Sequence, residues 1–166
     1  MKQIYQIEGV VNRGFVGQIT YTVCLEEPLR TLDIHFSFDG DKRTFRPEDV
    51  TPELIAETVD AAEKKCGGLK LDEKRAREVI LYDMKTEIHT LATINDEFIG
   101  CVHKQLTDRH MLYDGRRNEA SEGCIPREEF DGVLKVTVLV FNVIKDDTHY
   151  SLTVSGEPLA NAPLSE

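Results

Sequence analysis

Cysteine and histidine side chains that could bind a metal ion lie close together in the middle of the sequence. Cys101 and His103 are two residues apart, which places both side chains on one face if this segment is a β-strand. A thiolate and an imidazole are good ligands for zinc, and His110 or His89 could complete the set. We therefore take Cys101, His103 and His110 as candidate metal ligands, with ordinary packing on a half-buried strand as the alternative.

Catalysis by the same residues needs more groups than the sequence offers. Cys101 and His103 could act as nucleophile and base, because a nearby imidazole favours the thiolate. That mechanism also requires a group to orient the imidazole and a site for the oxyanion, and no motif supplies either. Asp33 and His35 could form an acid and base pair, but on an exposed strand face an ordinary ion pair explains them. We therefore predict no catalytic residues.

A long polar segment over residues 114–132 contains two adjacent arginines, Arg116 and Arg117. Two guanidinium groups could bind a phosphate or carboxylate through paired hydrogen bonds, and loops held by a rigid sheet often carry binding sites. Glu119 and Glu122 could instead neutralise both arginines within the loop. Arg116 and Arg117 are the predicted ligand-binding residues.

Alternation of apolar and polar residues predicts that most of these side chains are positioned by β-strands. Residues 1–38 predict three strands joined as an antiparallel meander, and residues 98–106 predict another strand after a turn at Asn95-Asp96. Residues 133–144 form the most apolar strand. Because its second half is apolar on both faces, we predict a central strand covered on both sides, followed by a hairpin turn at residues 145–148.

Helix signals lie between these two groups of strands. A threonine followed by proline and two glycines further along predict a helix over residues 52–66. Asp72 can cap a second helix, which we predict to end between Met84 and Leu91. Residues 79–92 fit helical periodicity and strand alternation equally well, so a strand is the alternative there.

Composition limits the classes of partner. The chain has 166 residues and a formal charge of -10, and its basic residues form no stripe, which argues against nucleic acid and anionic membranes as partners. The four cysteines are widely spaced, and no apolar run resembles a signal peptide or a membrane span. We therefore predict a soluble cytoplasmic protein with reduced thiols.

These observations predict an α+β fold with a mainly antiparallel sheet, either a sandwich or a partial barrel. One or two helices are inserted between the N-terminal three-stranded meander and the C-terminal strands. Residues 1–155 are predicted to form a single globular domain, and residues 156–166 a flexible tail. The predicted function is a non-catalytic binding or protein-interaction module without a cofactor, with self-association as one route. The alternatives are a small-ligand-binding barrel or sandwich and a metal- or cysteine-dependent enzyme.

Overall fold

Antiparallel β-strands are the main secondary structure of the protein. The computed structural model describes residues 1–65, 67–68 and 70–159. In chain order the elements are β1 (Lys2–Val11), β2 (Gly17–Cys24), β3 (Leu29–Phe38), α1 (Pro52–Lys65), α2 (Glu73–Glu78), β4 (Glu87–Ile94), β5 (Glu97–Val102), β6 (Asp108–Asp114), β7 (Glu119–Ala120), β8 (Val133–Asn142) and β9 (Thr148–Pro158).

The strands form two sheets that share one hydrophobic core. The larger sheet has the order β1-β9-β3-β6-β7, and the smaller sheet has the order β2-β8-β4-β5. Alternate residues of both sheets are buried together, including Leu32 and Phe36 from the larger sheet and Val136 and Val138 from the smaller one. The prediction of a mainly antiparallel α+β protein with inserted helices is confirmed in outline, and the sheets do not close into a barrel.

The predicted N-terminal meander is wrong, because consecutive strands belong to different sheets. β1 pairs with β9, β2 pairs with β8, and β3 lies between β9 and β6. The predicted hairpin at residues 145–148 is also wrong, since this connection carries the chain from β8 in one sheet to β9 in the other. Because each of these connections crosses from one sheet to the other, consecutive strands face each other across the core and bury their apolar sides together. Val143 and Ile144, which are both buried, cross the end of the sandwich.

β8 is central, as predicted, but it is not covered on both sides. It lies between β2 and β4, and its inward residues are fully buried. On the outer face Phe141 is 49% exposed, and Lys135 and Thr137 precede it on the same face. Only the last part of that face is apolar, so a single partner sheet satisfies most of the burial that the strand requires.

The first predicted helix is confirmed as α1. The Thr51 hydroxyl accepts a hydrogen bond from the backbone N–H of Leu54 at 3.2 Å, and Gly67 and Gly68 have the positive φ angles that end a helix. Cys66 lies outside the described residues. Leu54 packs with Val50 and Ile80 in a second, smaller apolar cluster. No helix among the described residues is long and apolar enough to cross a membrane.

The second helix ends earlier than predicted. Asp72 caps α2 by accepting a hydrogen bond from the N–H of Arg75 at 2.7 Å, and a π-helical turn at Val79–Asp83 follows. The strand alternative is correct for residues 87–94, which pair with β8 and β5. The strand is favoured over the helix because it buries alternate residues of β4 in the space between the sheets.

The last strand extends into the segment predicted as a tail. β9 ends at Pro158, where Gly156 pairs with Leu32 of β3 and with Lys2 of β1. A side chain at residue 156 would lie 2.7 Å from a methyl group of Leu29, so glycine here permits close packing. Residues 160–166 lie outside the described residues.

An ion pair attaches the helical segment to the sandwich. The Lys145 ammonium, which follows β8, lies 2.7 Å from Oδ2 of Asp49 and also donates to the backbone carbonyl of Asp41. The hydrogen bond from Lys145 and a second from the N–H of Arg46 lower the pKa of the Asp49 carboxyl. Both ionised groups are partly buried, so water screens this pair less than a fully exposed one.

Asp49→Asn is expected to lower the free energy of unfolding by about 1 kcal/mol at pH 7, because the amide keeps the shape but loses the charge. A carboxyl whose pKa is lowered by folding stabilises the native state above its unfolded pKa, and that contribution is lost as the pH falls. Urea unfolding of both proteins from pH 7 to pH 3 should therefore show a converging difference. Asp60→Asn, an exposed change on α1, is the control. A difference that persists at pH 3 would contradict this account.

Candidate metal centre

Two histidines lie opposite each other on the outer face of the larger sheet. In the antiparallel pairing of β3 with β6, His35 is directly opposite His110, and on its other side His35 pairs with Thr153 of β9. Directly opposed side chains on one sheet face are within contact distance. The imidazole rings stack with centroids 4.0 Å apart and planes inclined by 2°.

A carboxylate completes a three-residue cluster that we call the triad: His35, Asp108 and His110. Oδ1 of Asp108 lies 3.1 Å from Nε2 of His35 and 4.0 Å from Nε2 of His110. One potential ligand atom from each residue lies within 4.8 Å of the others. The parallel rings thus direct two nitrogens and one oxygen toward the same small space.

Asp33 sets the orientation and tautomer of His110. Its carboxylate lies 2.9 Å and 3.2 Å from Nδ1 of that ring, and its side chain is 15% exposed. A carboxylate accepts hydrogen bonds, so Nδ1 of His110 donates the proton and Nε2 keeps its lone pair in the neutral ring. This carboxylate-to-histidine contact is the usual support for a metal-binding imidazole.

Two imidazoles and a carboxylate form a ligand set suited to divalent transition metals. Zinc, nickel, copper and iron accept nitrogen and carboxylate oxygen together, whereas calcium and magnesium prefer oxygen ligands. Three protein ligands on an open face would leave at least one coordination position for water or another molecule. His35 also forms a hydrogen bond with Asp108, and His110 forms one with Asp33, so both rings have partners within the protein.

The predicted metal ligands lie in different places. Cys101 is on β5 of the smaller sheet, and His103 follows that strand and packs on the ring of His89, with centroids 4.2 Å apart. His89 is itself buried and bonded to Glu87 at 2.9 Å. Of the three predicted ligands, His110 alone belongs to the triad.

The environment of Cys101 disfavours a reactive thiolate. Burial raises the pKa of this thiol, and the neighbouring Cys124 raises it further, while Arg109 lowers it. A higher pKa leaves less thiolate at neutral pH. The absence of catalytic residues stays a prediction.

The two predicted ligand-binding arginines are both paired with carboxylates. Arg116 donates to Glu157 at 2.8 Å, and Nε of Arg117 lies 3.8 Å from Asp114. Neither partner is among the two glutamates expected from the sequence. A bound anion would have to displace these carboxylates, and anion binding at Arg116 and Arg117 stays a prediction.

Sequence reasoning missed Asp108 and gave His35 a different partner. The signal was present, because Asp-x-His occurs both at residues 33–35 and at residues 108–110. With His35 opposite His110, each aspartate lies diagonally across from the histidine of the other strand. Only the pairing of β3 with β6, two segments more than 60 residues apart, turns two separate motifs into one site.

Comparison with known proteins gives a family but no function. A model described as "Family of unknown function (DUF6669)" matches residues 1–157. No curated protein and no solved structure matches the chain.

Proposed function

We propose that this chain, which belongs to the DUF6669 family of unknown function, is a non-catalytic binding protein that holds one divalent transition-metal ion at the triad. The observation that carries the proposal is the orientation of His110. Its Nδ1 is held by Asp33, so its Nε2 lone pair is available beside Nε2 of His35 and the Asp108 carboxylate.

Zinc is the ion that suits the site best. It accepts imidazole and carboxylate ligands together and imposes no geometry of its own through its d electrons. A metal ion would take the place of the hydrogen bond between His35 and Asp108, and because a ligating imidazole must offer a lone pair, binding should weaken in acid. Further positions on the ion would face solvent, where a ligand or a side chain of a partner protein could bind.

Binding is favoured over catalysis because the second carboxylate of the site is already engaged. A metal-dependent hydrolase needs a general base beside the metal-bound water. Asp33 contacts the triad, but both of its oxygens accept from His110. The protein-interaction role predicted from the sequence is compatible with this site, since the triad lies on an open sheet face.

Isothermal titration of the metal-free protein with zinc tests the proposal. We expect one ion per chain, with binding lost in the double variant His35→Ala and His110→Ala. His149→Ala is the matched control, because His149 is an exposed histidine on the same sheet outside the triad. Full-affinity binding by the double variant, or equal loss in the control, would overturn the proposal.

A further inference from the structure

A narrow cleft in the sandwich collects several cationic side chains. We call it the cationic cleft. It lies between the start of β4, the segment after β3 and the connection between β5 and β6. Its walls include the basic side chains of Arg43, Lys85 and Lys104 together with Gln105. Three basic side chains and one acidic residue, Glu87, thus line this cleft in a chain with a formal charge of -10.

Two of these cations share one neutral acceptor. Arg43 and Lys85 both donate to the amide oxygen of Gln105, at 3.3 Å and 3.4 Å. These distances are at the long end for hydrogen bonds, so the contacts are weak. Among the described residues neither cation forms an ion pair, although the chain carries 30 acidic residues. An exposed amide oxygen therefore occupies the position where an anionic oxygen would bind more strongly.

A further cation, Arg109, is bonded to the backbone of the residues that line the cleft. Arg109 is 5% exposed, and its guanidinium donates to the backbone carbonyls of Lys104 and Ile88, both of which line the cleft. It also lies over the ring of Phe36, and its Nε has no hydrogen-bond partner. Burial lowers the pKa of Arg109 to about 10, because the site excludes the water that would solvate its charge.

Of the cations that line the cleft, Lys104 is ion-paired, whereas no carboxylate of the described residues, including the lining residue Glu87, pairs with Arg43 or Lys85. Glu87 is bonded to His89, and Glu122 reaches Lys104 at 2.5 Å from a strongly exposed position. A buried guanidinium without a carboxylate is costly, and a nearby anion reduces that cost. Two cations without ion pairs thus line the cleft, and a third, buried one is bonded to the backbone of its walls.

We propose that the cationic cleft binds a phosphate group between Arg43 and Lys85. The interior, with a volume of 10 Å³, has room for at most one water molecule, so the anion binds at the mouth. Phosphate carries between one and two negative charges at neutral pH and several acceptor oxygens, which matches donors that arrive from different directions. This site is separate from the triad and does not depend on metal binding.

Titration with inorganic phosphate, followed by amide chemical shifts in NMR, tests the proposal. The protein is kept in a chelator so that no triad-bound metal contributes, and the ionic strength is held constant with sodium chloride. We expect saturable shifts around Arg43, Lys85 and residues 104–106. A phosphomonoester in a second titration distinguishes a free phosphate site from one that also accepts a phosphorylated molecule, and binding of either supports the proposal.

Charge-matched variants separate a site from general attraction. Arg43→Gln with Lys85→Gln should weaken binding at least tenfold, whereas Lys64→Gln with Lys65→Gln, the same change in charge on exposed residues of α1, should leave it unchanged. Gln105→Ala should strengthen binding, because it frees two donors. Equal weakening in both double variants, absence of saturation, or weaker binding in Gln105→Ala would overturn the proposal.

Discussion

Asp33→Ala is expected to weaken zinc binding at the triad by about tenfold to a hundredfold, the usual cost of removing a carboxylate that supports a metal-binding histidine. Asp33 does not coordinate the ion in the proposed site. Its Oδ1 lies 2.9 Å from Nδ1 of His110 and keeps the proton on that nitrogen. Without this carboxylate the imidazole ring can rotate and exchange tautomers. Zinc titration of the variant at pH 7 measures the loss.

A conservative variant distinguishes this positioning role from damage to the fold. Asp33→Asn retains an oxygen that can accept from Nδ1 of His110, so it should recover much of the affinity that alanine loses. The control is Asp131→Ala, which removes an exposed carboxylate far along the chain from the triad. Thermal unfolding should show similar stability for both Asp33 variants. Zinc affinity that is unchanged in Asp33→Ala would refute the role assigned to this carboxylate.

Phe130→Ala is expected to lower the free energy of unfolding by about 3 to 5 kcal/mol, as for other fully buried aromatic residues. Phe130 belongs to the polar segment 114–132, yet it is completely buried and its ring lies 5.1 Å from that of Tyr113. Its backbone also exchanges two hydrogen bonds with Leu29 at the start of β3. Urea unfolding measures the change, provided that the dependence of the free energy of unfolding on urea concentration is the same in both proteins.

Phe141→Ala is the matched control for this loss. The same side chain is removed, but Phe141 is 49% exposed on the outer face of β8, so the cost should be below about 1.5 kcal/mol. A similar cost for both variants would contradict the conclusion that residues 114–132 are fixed to the core. Gly115 supports that conclusion, because a Cβ there would lie 2.1 Å from the carbonyl oxygen of Glu128.

Local signals in the sequence predicted individual elements well. Helix α1 follows from a threonine cap and two terminal glycines, and each acts within a few residues of the helix. The turn between β4 and β5 follows from Asn95-Asp96, two residues that tolerate the positive φ angles of 49° and 66° found there. Alternation also assigned His35 correctly to a polar strand face.

Local signals failed where two structures were equally compatible with one pattern. Residues 79–92 fit a helix and a strand, and pairing of β4 with its neighbours selected the strand. Segment 114–132 lacks periodicity, but one phenylalanine and a few backbone contacts fix it to the core. The polar composition of this segment predicts that most of its side chains are exposed, and it cannot show that Phe130 is buried.

The sequence by itself determined helix α1 and the apolar faces of most strands, because those properties depend on neighbours within a few positions. The tertiary structure decided which strands pair and in what register. That choice placed His110 opposite His35 and put Asp33 and Asp108 each diagonally opposite the histidine of the other strand. It left Cys101 on β5 of the other sheet, with His103 just after that strand. Strand pairing joins distant segments through burial and backbone hydrogen bonds that any sequence can form, so the candidate metal centre exists only in the folded chain.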